Sequence, residues 1–330
     1  MRMNKDRLAL FADNAGEMKT SFKWHHAMVN RLAALLYTVE DRTVDVPAIR
    51  ENIDRIKKNT GIFSSFRGSA VVSFASQLSL SSDPDTQLAR ALDVLELLRG
   101  LKFRSSPYLS VAAYQIAAHA TVEQYADVTE RARSFYTAMK ENHPFLTGQD
   151  DYIFTAMLAL SDIEVTAGTE RMEQLYTLLK AELRIGNGLQ ALSQVLVLGE
   201  GMTDPVSRVL RLKDAFRSKG IKMDRSDTLS SLGVLTLLPC DDGDIVEDLV
   251  QTSEWLRMQK GFSRWSVTEP ELLLYSSAFV AYQHLQESSG SDIVPITALS
   301  TSLTNILIAQ QAAITAAATA SAVAASSSSH

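Results

Sequence analysis

With one cysteine, six histidines and 7% aromatic residues, this 330-residue chain is short of the side chains that most often carry chemistry. Cys240 stands alone, which excludes an internal disulfide and a cysteine metal cluster and fits a reducing compartment. The opening stretch holds only the short apolar run Leu8 to Ala12, less than a secretory signal needs, so the expected location is cytoplasmic. No GxSxG elbow is present, no GKS or GKT follows a glycine loop, and no Cys/His pair has a nucleophile's family spacing. Positive charge is also scarce. The formal net charge of -6 and a pI near 5.6 argue against a nucleic-acid partner, which is held by cations that displace counterions. Residues 1–70 carry +4 and the remainder -10, an asymmetry too mild to name a partner.

What the chain does have is a period. A basic residue closes an amphipathic stretch at Lys19, Lys58, Arg99, Lys140, Lys180, Arg217 and Arg257, with spacings of 39, 41, 41, 40, 37 and 40. A repeat of this length marks a stacked helical array, which extends its core one unit at a time. Each unit reads as two helices. The first of each pair carries the charge, as in ENIDRIKKN and RVLRLKDAFRSKG. The second contains segments with no ionisable group beyond histidine, as in VVSFASQLSL, VAAYQIAAHA, YIFTAMLALS and LQALSQVLVL. A helix that is apolar all round is buried all round. The expected fold is therefore all-α: a two-layer superhelix of about seven αα-hairpins, or an α/α toroid if the curvature closes, over residues 1–292. The first hairpin is expected to place residues 5–20 on one helix and 21–38 on the next, with Trp24, His25 and His26 inside the second.

Seven residues after the marker stand Ser65, Ser106, Thr147 and Asn187 in repeats two to five. All four are N-cap residue types, expected to accept from the free N–H groups of the following helix. In repeats six and seven the expected caps are Ser226 and Thr268 or Ser266.

Candidate chemistry gathers at starts of second helices. Gln149, Asp150 and Asp151 follow His143, and two adjacent carboxylates there offer a base or a cation ligand. Glu269 and Glu271 hold the equivalent place in repeat seven. In a closed ring the two acid pairs would face one mouth, as a toroid hydrolase or lyase requires. The ordinary role of such acids is to stabilise the helix dipole and the first-turn N–H groups. His25 and His26 point about 100° apart on a helix and do not grip one metal. With Trp24 they form a candidate binding or core cluster. The acidic run Cys240 to Asp244 with Glu247 lacks the order of an EF-hand loop and reads as a solvated turn. No metal site is assigned and no cofactor is identified.

The last 38 residues, after Asp292, contain no Asp, Glu, Lys or Arg and are rich in Ala, Ser and Thr. Alanine propensity predicts a helix over about 295–325, with a narrow seam suited to close packing. Segment 293–330 is thus an end cap or a docking and self-association tail. A membrane span is disfavoured: Ile296 to Ala317 includes nine Ser, Thr, Asn or Gln residues and no cation follows.

The stretches RLAALLYTVE (31–40), FRGS (66–69), FLTGQDDYIFTAMLALSD (145–162), ALSQVLVLGEG (191–201) and IAQQAAITAAATA (308–320) carry a likeness to a known family. With them the chain resembles the uncharacterised bacterial proteins grouped as domain of unknown function 4003. The resemblance implies a bacterial protein and one full-length domain, and it assigns no activity. On the residues alone, the leading function is a non-enzymatic interaction scaffold. The alternatives are a helical-ring enzyme using Asp150, Asp151, Glu269 or Glu271, and a tail-mediated membrane protein.

Overall fold

A computed structural model describes residues 4–62, 64–68, 70–199 and 202–289, so the expected tail at 293–330 lies outside the described residues. Every regular element among the described residues is helical. In order these are α1 (Lys5–Ser21), α2 (Ala27–Val39), α3 (Val46–Asn59), α4 (Val71–Leu80), α5 (Pro84–Gly100), α6 (Pro107–His119), α7 (Tyr125–Asn142), α8 (Tyr152–Leu160), α9 (Val165–Leu179), α10 (Asn187–Val197), α11 (Pro205–Ser218), α12 (Leu229–Thr236), α13 (Asp242–Met258) and α14 (Glu269–Ser289), with 3-10 turns at Ser65–Arg67 and Val122–Gln124.

Two compact units divide the chain. One holds Asp6–Tyr136 with Gly148–Leu160, the other Thr137–Thr147 with the described chain from Ser161 onward. In the first, α3 packs on α4 and α5 on α6, while α2 meets α4, α6 meets α8 and α3 meets α5. In the second, α9 packs on α10, α11 on α12 and α13 on α14. There α10, α12 and α14 touch in succession, as do α9, α11 and α13. Within each unit, even helices lie on even and odd on odd.

Burial follows the same division and explains it. Helix α6 is buried without a break from Leu109 to Ala117, and α8 from Tyr152 to Ala159. Odd helices bury one stripe, such as Ile49, Asn52 and Ile56 of α3 or Val209, Leu212 and Phe216 of α11. At nine residues α8 is too short to hold itself in water, so its helicity comes from its surroundings. Several hydroxyls inside the buried helices turn back onto their own backbone: Ser76 donates to the Val72 carbonyl, Thr236 to Leu232 and Ser276 to Leu272, at 2.8–2.9 Å. That bond lets a small polar residue enter a dry layer without a missing partner. Close approach sets a further requirement where α10 meets α12. A Cβ on Gly188 would stand 2.3 Å from the Ser226 carbonyl oxygen, and one on Gly233 3.0 Å from Leu192.

Helix starts use short acceptors. Asp45, Asp83, Ser106, Glu164 and Asp204 accept from the backbone N–H three residues on, and a proline stands in the first turn at four of these five starts. Of the four caps expected from the period, only Ser106 serves. Ser64 caps the 3-10 turn while Ser65 bonds to the Ser110 hydroxyl, and Asn187 already lies inside α10 behind Gly186. Thr147 donates to the Met139 carbonyl at 3.0 Å, and α8 begins five residues later, because the intervening loop folds back on the end of α7. In the later repeats Ser226 accepts from Gly188 N–H, and Thr268 accepts from Glu271 N–H, as a cap of α14 does. The first hairpin also differs from expectation. Trp24 and His25 sit in the turn between α1 and α2, with His26 at the start of α2. Phe22 still closes on Met18, and its own carbonyl is taken by His25 N–H and the Asn30 carboxamide, so no helix continues through the turn.

Four of the seven basic markers have a job that the period did not reveal: they hold the loop that follows. Lys140 Nζ donates to the Pro144 and Thr147 carbonyls, both at 2.5 Å. Arg257 Nη1 donates to those of Phe262 and Val267 at 2.9 and 2.7 Å. Arg99 reaches Ser105, and Arg217 reaches Asp224. Arg67 works in the opposite sense, donating back to the Lys57 and Thr60 carbonyls. At the other end of the hairpins, Arg208 collects the carbonyls of Thr236, Leu238 and Cys240 and pairs with Asp242 at 2.8 Å. The last hairpin is pinned by His284 Nε2 against Asp248 Oδ2 at 3.0 Å, both buried.

Two predictions follow the caps and clamps. Arg208→Met should lower stability by about 2–3 kcal/mol in urea melts, since several carbonyls and a carboxylate lose a charged donor, whereas the exposed Arg211→Met should change it by under about 0.5 kcal/mol. Hydrogen bonds from the Thr86 and Ser207 side chains and N–H groups hold Asp83 and Asp204 below the usual carboxylate range. A depressed folded value means stability that is present above the unfolded value, near about 4, and lost as pH falls through the lower folded one. Asp83→Asn with Asp204→Asn keeps an acceptor but cannot titrate, so its urea midpoint should fall less steeply below about pH 4 than that of the unaltered chain. Equal slopes would remove these caps from the acid-sensitive set.

Candidate functional site

The acids before α8 lie beside an aromatic cluster. Phe103, from the loop after α5, meets Tyr152 edge-on with centroids 4.9 Å apart, and Tyr136 of α7 closes the group at 5.1 Å from Tyr152 and 5.6 Å from Phe103. The Arg133 guanidinium lies over the Phe103 and Tyr136 rings, 5.5 and 5.8 Å from their centroids. Arg104 N–H donates to the Tyr152 hydroxyl at 3.3 Å. Burial, the Tyr152 hydroxyl and the Asp151 charge push the Tyr136 phenol up to about 12. It therefore remains a neutral hydroxyl through the physiological range.

Asp151 is buried, and its Oδ2 accepts from Gly148 N–H at 2.8 Å. Its carboxylate thus closes the loop that leads into α8. Asp150 is half-buried over Gly148, and its charge helps to raise the Tyr108 phenol, although burial is the larger cause. Gln149 is half-buried, and its carbonyl accepts from Tyr152 N–H at 3.2 Å. Of the two acids that the sequence singled out, Asp151 is thus near enough to the aromatic cluster for its charge to act on Tyr136, whereas Asp150 acts on Tyr108.

His143 belongs to the other unit. Its Nε2 lies 2.7 Å from Glu173 Oε2, and its ring sits 4.3 Å from that of Tyr176. His143 and Glu173 line a narrow cleft with Met139, Thr169 and Gln190, and the Gln190 amide donates to the Thr147 hydroxyl at 3.0 Å. Glu173 stands thirty residues further along the chain, so no local motif announced it. Glu269 and Glu271 are in the first turn of α14. Both favour the charged form of Arg257, whose value is nonetheless lowered by burial and by Arg264. Trp24 is exposed beside Lys23, while burial and the Lys57 charge lower His25. Among the described residues, no group of three or more His, Cys, Asp or Glu is placed to hold a metal ion.

One feature was not predicted from the residues. Helix α5 and the start of α7 line a shallow groove whose floor is Leu97, Leu101, Val122 and Ala126 and whose rim carries Asp93, Glu96 and Glu130. Leu97 and Val122 remain 40% and 54% exposed. A leucine one position off the buried stripe of α5 was the available signal, but such residues are common on surfaces.

Residues 14–313 match the family described as "Protein of unknown function (DUF4003)", and the chain belongs to it. It is 26% identical over 310 residues to the uncharacterized protein YeaA of Bacillus subtilis (strain 168), covering 91% of this chain and 90% of that one. No solved structure matches. No described helix is long and apolar enough to cross a membrane.

Replacing Asp151 by Ala should cost about 1–3 kcal/mol, because a buried carboxylate leaves Gly148 N–H without its acceptor. Guanidinium melts of the Asp151→Ala and Asp150→Ala chains check this, with the larger loss expected for Asp151. Equal losses would make the Gly148 bond incidental.

Proposed function

We propose that this member of the family is a non-enzymatic scaffold, a two-layer superhelix of seven αα-hairpins over residues 1–292 that holds a protein partner. The carrying observation is the α5–α7 groove: an exposed apolar floor with an acidic rim fits the apolar stripe of an amphipathic helix whose flanks are basic. The recurrence of hairpins, even helices on even and odd on odd, supports the array, since stacked hairpins present long surfaces of this kind. Segment 293–330 is a second means of attachment or self-association on the same reading.

Affinity capture with the full chain, followed by reconstitution from purified components, tests it. A partner bound by the unaltered chain should lose at least about tenfold in affinity to Leu97→Arg and keep its affinity for Asp150→Asn with Asp151→Asn. A partner indifferent to Leu97→Arg would move the contact away from the groove.

A helical enzyme using Asp150 and Asp151 is the second reading, favoured by the neutral Tyr136 phenol within reach of the Asp151 charge. A small molecule bound by the unaltered chain and lost from the double Asn variant, with unchanged melting, would select it.

A further inference from the structure

We propose that, in the unit built from residue 161 onward, the edge formed by the loops from odd to even helices docks on an anionic phospholipid bilayer. These loops, 180–186, 219–228 and 259–268, share one end of the stack. The Arg208–Asp242 pair brings together the starts of α11 and α13, and the Gly188–Ser226 bond brings together the start of α10 and the loop into α12. The loops at that end carry seven Lys and Arg against three Asp and Glu, and Arg217 already neutralises one of the acids, Asp224. At the opposite end, the described loop residues before α9, α11 and α13 include Asp162, Glu164, Asp204 and Asp241 and no cation. The loops at the two ends of the unit are therefore opposite in charge.

Arg184, Lys222, Arg225, Lys260 and Arg264 are exposed, and their side chains make no ion pair or hydrogen bond among the described residues. Large apolar side chains stand among them: Trp265 is 100% exposed, Met258 74% and Ile185 62%. A bilayer fits this combination, because exposed aromatic and aliphatic tips enter the headgroup layer while adjoining cations meet lipid phosphates. The other unit, taken by itself, repeats the pairing in the same class of loop, with Trp24 at 88% beside Lys23 and Ile62 at 75% after Lys57 and Lys58. This contact is peripheral and requires no spanning helix. It goes beyond the scaffold reading and does not depend on it.

The full chain should sediment with vesicles of phosphatidylcholine containing about one-quarter phosphatidylserine, but not with phosphatidylcholine alone, and release as salt rises from about 0.05 to 0.5 M. Lys260→Glu with Arg264→Glu, at exposed positions, should weaken binding at least about tenfold with an unchanged circular dichroism melt. Brominated lipid should quench tryptophan fluorescence in the unaltered chain, and Trp265→Phe should remove much of that quenching. Failure to sediment, or sedimentation insensitive to the charge reversal as tail-driven binding would be, overturns the proposal. Charge-sensitive sedimentation without quenching also overturns it, since it would reduce the edge to a general polyanion surface. None of these outcomes touches the groove, so the scaffold reading stands or falls separately.

Discussion

Carbonyl oxygens at the ends of hairpins are the constraint on which the rest of this structure depends. A chain that turns from a half-exposed helix into a wholly buried one leaves several carbonyls without a helical partner, close to a dry interior where water cannot reach all of them. Lys140, Arg257, Arg67 and Arg208 supply the missing donors. A long cation suits the task because its stem crosses apolar surface while its head serves two or three oxygens. Helices α4, α8, α10 and α12 can then remain free of charge.

The same constraint orders charge along the hairpins. Cations concentrate where odd helices end, and carboxylates where odd helices begin, each next to the helix end whose partial charge it complements. Asp83-Pro84 and Asp204-Pro205 combine a cap with a residue that has no N–H to satisfy, so helix starts need few outside donors or acceptors. Every odd helix of a stack points the same way, which is how small local preferences add to a polar edge.

Much of this was legible in residues alone. Helical class and the charge-free runs of the even helices follow from spacing and composition, because burial on all sides disfavours an ionised group. Boundaries were less accessible. Ser106 precedes a proline and caps as expected, whereas Thr147 occupies the same place after its marker and is drawn to the Met139 carbonyl by a loop that folds back. Trp24 and His25 lie in a run that is apolar enough to continue a helix, yet the Asn30 amide takes the carbonyl that would have carried it on. At the candidate sites, adjacency in sequence misled where adjacency in space decides. Asp151 is oriented by Gly148, three residues away, but the Tyr136 ring on which its charge acts comes from α7, and His143 finds Glu173 on α9, past the helix that follows it. The groove between α5 and α7 arises from stacking and has no sequence signature.

The buried pairing of His284 with Asp248 gives the final helix a particular kind of attachment. Apolar layers slide by degrees, trading one set of dispersion contacts for another of similar strength. A directed bond between two ionisable groups in a dry layer has no graded alternatives: it is made or broken. The pair therefore sets the register of α14 against α13, a choice that the surrounding apolar contacts leave open.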